Sequence, residues 1–216
     1  MTQIKVCGVR SVACAQLCAS MGVDSIGINF WQHSKRYCDA ERASEIVAAI
    51  GSKVETVGIF VDAGVDEIQN LLRVTGIEFA QLHGDEPPEQ LKALLPKAYK
   101  ALRVKGLETL QEVQRFAGAQ ILLDAYAPQG PGGTGCTFDW SIAGGIGREK
   151  NMAKKITIAG GLNPENVAEA IRVARPHRVD VASGVESTPG QKDPKALQRF
   201  ITAVREADRD HRSIRP

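Results

Sequence analysis

Eight short runs of aliphatic and β-branched residues recur along the 216-residue chain, each followed by an amphipathic stretch, and that alternation restricts the fold to a parallel sheet wrapped by helices. The runs cover residues 4–6, 25–29, 56–61, 79–82, 98–104, 120–123, 155–159 and 178–182. Between them, Cys14, Leu17, Cys18 and Met21 follow helical spacing, as do Leu197, Phe200, Ile201 and Val204. Asn163-Pro164-Glu165 and Asp193-Pro194 each place a capping side chain before a proline, which predicts helix starts at both places.

Eight strand-helix units suit either a closed (β/α)₈ barrel or a doubly wound open sheet. A dinucleotide fold requires Gly-x-Gly-x-x-Gly after its first strand, whereas this chain carries Cys7-Gly8-Val9-Arg10 there. The prediction is therefore an α/β TIM barrel with a parallel eight-stranded core, formed as one domain over residues 1–216. A 43% hydrophobic content supports one sizeable core, and the charged tail over 206–216 is expected to fray.

Several function classes are excluded at this level. The net charge is only +2 with scattered basic residues, and aromatic content is 5%, so a nucleic-acid partner is not expected. No apolar run approaches membrane-spanning length, so no membrane partner is expected either. Five cysteines without Cys-x-x-Cys spacing argue against a disulfide framework or a zinc site and favour reduced thiols in the cytoplasm.

In a barrel, the residues closing each strand share the carboxyl-end face where such folds place their sites. Those residues are Cys7, Asn29, Asp62, His83, Arg103, Asp124, Gly160 and Ser183, a polar set to follow apolar runs. Asp124 ends the run Ile121-Leu122-Leu123 and precedes a glycine-rich loop, a position that suits either catalysis or a simple cap. The loops bearing Gly160-Gly161 and Ser183-Gly184 follow the seventh and eighth strands, where barrel enzymes bind phosphate through backbone N–H groups. A phosphorylated small-molecule substrate is the expected partner.

These pieces, taken in order, carry a resemblance. Lys5-Val6-Cys7-Gly8, Ser34-Lys35-Arg36-Tyr37, Gln81-Leu82-His83-Gly84, Leu122-Leu123-Asp124 and Gly132-Gly133-Thr134-Gly135 are followed by Phe138-Asp139-Trp140, Gly160-Gly161-Leu162-Asn163-Pro164-Glu165-Asn166 and Asp180-Val181-Ala182-Ser183-Gly184-Val185-Glu186. Across nearly its whole length the chain resembles the phosphoribosylanthranilate isomerase family of tryptophan biosynthesis.

The resemblance implies an Amadori rearrangement of N-(5-phosphoribosyl)anthranilate to 1-(2-carboxyphenylamino)-1-deoxyribulose 5-phosphate, with no cofactor and no metal. It implies Asp124 as general acid and Cys7 as general base, Arg36 as the partner of the anthranilate carboxylate, and His83 at the pocket wall. His83 also suits a core histidine bonded to backbone. As a base, Cys7 requires positive charge or N–H groups that favour its thiolate; Lys5 shares its strand face. Cys14 and Cys18 read as small packing residues on a helix.

Arg10 and Cys136 depart from the family pattern without removing a catalytic group, and the glycine- and proline-rich loop spanning 125–137 reads as a lid over Asp124. Related sugar-phosphate isomerases of histidine biosynthesis, including dual-substrate ones, carry a carboxylate in place of Cys7, and a non-catalytic phosphate-binding barrel would lack the acid or the base. The assembly expected is a monomer or homodimer.

Overall fold

Alternation along each run decides which way its side chains point, and one face of every strand must meet a helix. The computed structural model describes residues 1–116, 119–125, 137–148 and 155–213. Strands β1 (Gln3–Cys7), β2 (Ser25–Asn29), β3 (Glu55–Phe60), β4 (Phe79–Leu82), β5 (Ala98–Val104), β6 (Gln120–Ala125), β7 (Lys155–Ile158) and β8 (Arg178–Val181) pair in chain order into a closed barrel. All the barrel pairings are parallel, including the closing one between β1 and β8. The expected TIM barrel is the observed fold.

Outward residues such as Ile4, Val6, Ile26, Ile28, Ile121, Leu123, Ile158 and Val179 are completely buried in the main core. They pack beneath a ring of helices: α1 (Val12–Ser20), α2 (Ala40–Ile50), α3 (Val65–Thr75), α4 (Pro88–Leu94), α5 (Thr109–Arg115), α6 (Trp140–Arg148), α7 (Val167–Ala174) and α8 (Pro194–Ser213). A smaller inner cluster of Val57, Tyr99, Ala101, Leu122 and Ala159 fills the barrel itself. The same register sets Lys5 opposite Asp180 inside the barrel, where Lys5 Nζ donates to Asp180 Oδ2 at 2.8 Å. Among the described residues no helix is long and apolar enough to cross a membrane.

Helix starts follow local chemistry. The Asp193 carboxylate accepts from Lys195 and Ala196 N–H groups at 2.7 and 3.1 Å ahead of α8, as its position before Pro194 predicts. Asn163 behaves differently from expectation. Its side chain accepts from Glu165 and Asn166 and closes a turn, so α7 begins at Val167 behind Asn166 rather than at Pro164. On α1, Cys18 is buried as a packing residue but Cys14 is only half-buried. The sequence also gave no sign of a ninth and tenth strand, β9 (Glu186–Thr188) and β10 (Gln191–Lys192), which form an antiparallel hairpin after β8.

The tail departs most clearly from expectation, since α8 continues through Ser213 instead of fraying from 206. Leu197, Phe200 and Val204 have no exposed surface and dock the helix. Asp208 then accepts from the Thr2 N–H at 2.8 Å and the Thr2 hydroxyl at 2.7 Å, while Arg205 donates to the Thr2 carbonyl at 2.7 Å. Asp208→Ala leaves the Thr2 donors without their acceptor and is expected to cost about 1–3 kcal/mol, read as a lowered denaturation midpoint in urea. An unchanged midpoint would show that this tie adds nothing to stability.

Candidate active site

The carboxyl ends of the strands open into one cleft of about 770 Å³, counting space continuous with solvent. Cys7, Arg36, His83, Asp124, Gly160, Gly161 and Ser183 all line it. Gly184 does not line the cleft; a side chain there would strike the Leu162 carbonyl, so the residue serves close packing between the last two loops. Of the remaining strand-end residues, Asn29 lines the cleft but Asp62 and Arg103 do not. Asp62 instead accepts from the Asp85 N–H at 2.7 Å, and Arg103 faces a separate hollow beside Glu86, Lys100 and Arg115.

Asp124 lies one residue inside β6, not beyond its end, and is 5% exposed. His83 Nε2 stands 3.1 Å from Asp124 Oδ2, and the other ring nitrogen is 2.8 Å from Gln81 Nε2. The Tyr99 hydroxyl donates to Gln81 Oε1 at 2.9 Å, which turns the Gln81 amide nitrogen toward His83. Nδ1 is then the acceptor, and the Nε2–H donates to Asp124. His83 is thus held by side chains at the cleft wall, not by backbone in the core.

Cys7 ends β1 and meets a different environment. Burial pushes its thiol up, and Asp180 adds to that; Lys5, Lys192 and Arg36 oppose both without reversing the direction. The positive surroundings expected for a thiolate are present, but they do not outweigh desolvation, so the thiol form is favoured. For Lys5, burial alone would lower the ammonium; Asp180, Cys7 and Tyr99 outweigh it and raise it instead. Gly27 keeps this floor open, since a Cβ there would come within 3.0 Å of both Cys7 Sγ and Lys5 Nζ.

Arg36 sits on the loop after β2 and is already engaged. Its Nε donates to Glu186 Oε1 at 2.9 Å and its Nη2 to Glu186 Oε2 at 2.6 Å, a two-point pairing that fixes the plane of the guanidinium. Lys192, whose side chain has no exposed surface, donates to the same carboxylate at 2.7 Å. Burial would raise the Glu186 carboxyl, but Arg36 and Lys192 hold it below the usual carboxylate range.

The loop after β7 turns on two glycines at the cleft. Gly160 and Gly161 adopt φ of +84° and +62°, left-handed conformations that favour glycine. A Cβ on Gly160 would collide with Ala125 and lie 2.8 Å from Asp124 Oδ1, so the loop passes directly beside the carboxylate. Asn166 Nδ2 donates to the Gly161 carbonyl at 2.9 Å and pins the turn. Ser183 opens a single 3-10 turn, Ser183–Val185. Among the described residues no group of histidine, cysteine and acidic side chains could hold a metal ion.

Gln81, Trp31, Ser34 and Asp180 also line the cleft. Gln81 was findable, because it lies two residues before His83 and therefore shares its strand face. Glu186 closes the last of the family-like segments, but neither it nor Lys192 carries a periodic signal that marks it as a neighbour of the cleft. Of the loop read as a lid over 125–137, residues 126–136, Cys136 among them, lie outside the described residues.

A closed barrel with an acid, a thiol, an arginine and a paired-glycine loop at its carboxyl end defines a TIM-barrel enzyme of phosphorylated small molecules. Residues 4–203 match the family model for N-(5'phosphoribosyl)anthranilate (PRA) isomerase. The chain is 42% identical over 207 residues to the N-(5'-phosphoribosyl)anthranilate isomerase of Myxococcus xanthus, spanning 94% of this chain and 96% of that protein. The crystal structure of phosphoribosyl anthranilate isomerase from Thermotoga maritima superposes with a TM-score of 0.86 at 34% identity, covering 95% of this chain and all (100%) of that one. A phosphoribosyl anthranilate isomerase in complex with reduced 1-(o-carboxyphenylamino)-1-deoxyribulose 5-phosphate gives 0.83 at 32% identity, with 95% and 100% coverage. The chain belongs to the phosphoribosylanthranilate isomerase family.

The thiol environments make a direct prediction. Cys14 is lowered by the hydrogen bond from Cys18, whereas Cys7 is raised, so thiolate appears at Cys14 first as pH increases. Iodoacetamide labelling followed by peptide mass mapping should modify Cys14 at lower pH than Cys7, with the Cys7 midpoint above the ~8.5 of a free thiol. A Cys7 midpoint at or below that value would contradict the electrostatic reading.

Proposed function

We propose that this chain isomerises N-(5-phosphoribosyl)anthranilate to 1-(2-carboxyphenylamino)-1-deoxyribulose 5-phosphate, as one barrel domain working in the cytoplasm for tryptophan biosynthesis. The observation that carries the reading is the placement of Cys7 and Asp124 on β1 and β6, facing one cleft from strands separated by β7 and β8. The rearrangement needs an acid on one side of the sugar and a base on the other.

In this scheme Asp124 protonates the furanose ring oxygen, and the C1–O bond breaks to give an iminium. Cys7 then removes the C2 proton, and the electron pair moves into a C1–C2 double bond, forming an enolamine. Loss of the C2 hydroxyl proton and reprotonation at C1 yield the ketone. The sugar phosphate docks on the Gly160-Gly161 and Ser183 loops. The Gly160 backbone passes directly beside Asp124 Oδ1. His83 anchors Oδ2, which leaves Oδ1 as the oxygen that delivers the proton. Arg36 receives the anthranilate carboxylate with a fork that Glu186 has already oriented.

The assay follows the loss of substrate fluorescence after the purified chain is added to freshly made phosphoribosylanthranilate. Cys7→Ser and Asp124→Asn should each lower kcat by about 10²-fold or more, as loss of an acid–base group does. Near-normal turnover in either variant removes that residue from its role, and an inactive wild-type chain removes the activity itself.

A further inference from the structure

We propose that Glu186 and Lys192, on the hairpin β9–β10, are positioning residues that set the charge around Cys7 and the orientation of Arg36. The assignment rests on the isomerase reading above, because it gives Cys7 and Arg36 tasks that need charge and aim.

The geometry is specific. Lys192 Nζ donates to the Cys7 carbonyl at 2.6 Å, to the Ala182 carbonyl at 3.1 Å and to Glu186 Oε1 at 2.7 Å, so its three donors are spent on three acceptors. One ammonium thereby joins the end of β1, the end of β8 and the carboxylate that clamps Arg36. Lys192 has no exposed side-chain surface and Glu186 only 4%, so neither is a solvated loop charge. A buried lysine costs desolvation, and an apolar side chain would fill the same space without that cost. What the lysine adds is a positive charge against the strand end that carries the thiol.

The charges facing Cys7 show why that matters. Lys5 on β1 is paired with Asp180 on β8 at 2.8 Å, and Tyr99 on β5 faces the same floor as a neutral phenol. Arg36 after β2 is paired with Glu186. Lys5, Arg36 and Lys192 are three cations against two carboxylates, Asp180 and Glu186, which leaves one net positive charge beside the thiol. Lys192 supplies that surplus. Without it the cluster is formally neutral, and only Lys5 and Arg36, each paired with a carboxylate, remain to oppose burial of the thiolate. Without Glu186 the surplus doubles, while Arg36 loses the two-point clamp that fixes its plane.

Opposite effects on one thiol distinguish this role from simple support of the fold. In Lys192→Met the pH midpoint of Cys7 alkylation should rise by about 1 unit, and in Glu186→Gln it should fall by a similar amount. Lys192→Arg keeps the charge and should hold the midpoint close to wild type. KM for phosphoribosylanthranilate should rise about tenfold in both Lys192→Met and Glu186→Gln as Arg36 loses its aim. Midpoints that move together, or stay still, overturn the proposal. Should Lys192→Met fail to fold, the nearly isosteric Glu186→Gln decides alone: a lowered midpoint with a raised KM supports the assignment, and either one unchanged overturns it. Alkylation is read without substrate, so its outcome is separable from wild-type turnover, which tests the isomerase reading.

Discussion

Closure of the sheet between β1 and β8 is the constraint on which the rest of the molecule depends. Parallel pairing of Lys5 with Asp180 and Val6 with Val181 fixes the register, and with it the face on which every later inward residue appears. A slip of one residue would turn Lys5 into the helix layer and Ile4 into the barrel. The Lys5–Asp180 ion pair makes such a slip costly, since separating a buried charge from its partner costs about 3–5 kcal/mol. The same pair lies under Cys7, so the element that closes the barrel also sets part of the potential at the thiol.

Two polar systems grow from that frame and differ in kind. Around Asp124 the groups form a chain of neutral donors from Tyr99 through Gln81 to His83, which fixes a tautomer and an oxygen. Around Cys7 the groups are formal charges arranged in pairs with one cation over. The two environments bear differently on the proposed proton transfers: at Asp124 a single ring N–H fixes one carboxylate oxygen, and at Cys7 the cations oppose the burial that retains the proton without overcoming it.

Much of this was legible in the sequence, for physical reasons. Period-two burial on one face and a parallel sheet's apolar runs exposed all eight barrel strands, and strand ends gave Cys7, His83 and Asp124 because ladder geometry puts them on one rim. Arg36, on a loop, came only through family resemblance. What stayed hidden depends on contacts between distant segments. Glu186 and Lys192 gain meaning from residues about 150 and 185 positions away, separations over which no local periodicity carries information. The helical tail was misread because its charges were taken for solvated ones, whereas Asp208 is spent on Thr2. Asn163 was misplaced as a helix cap because an asparagine closing a turn and one opening a helix offer the same side chain.

The ties between distant segments have a consequence for cleavage. Thr2 is held by Asp208, the Cys7 carbonyl by Lys192, and Arg36 by Glu186, so strand β1 and the loop after β2 are completed by residues 150 or more positions further on. A cut in the backbone between β8 and β9 that let the later piece depart would remove the clamp on Arg36 and the cation beside Cys7 together, while every barrel strand stayed in the chain. The thiol and the arginine would then still be present but no longer held as a pair.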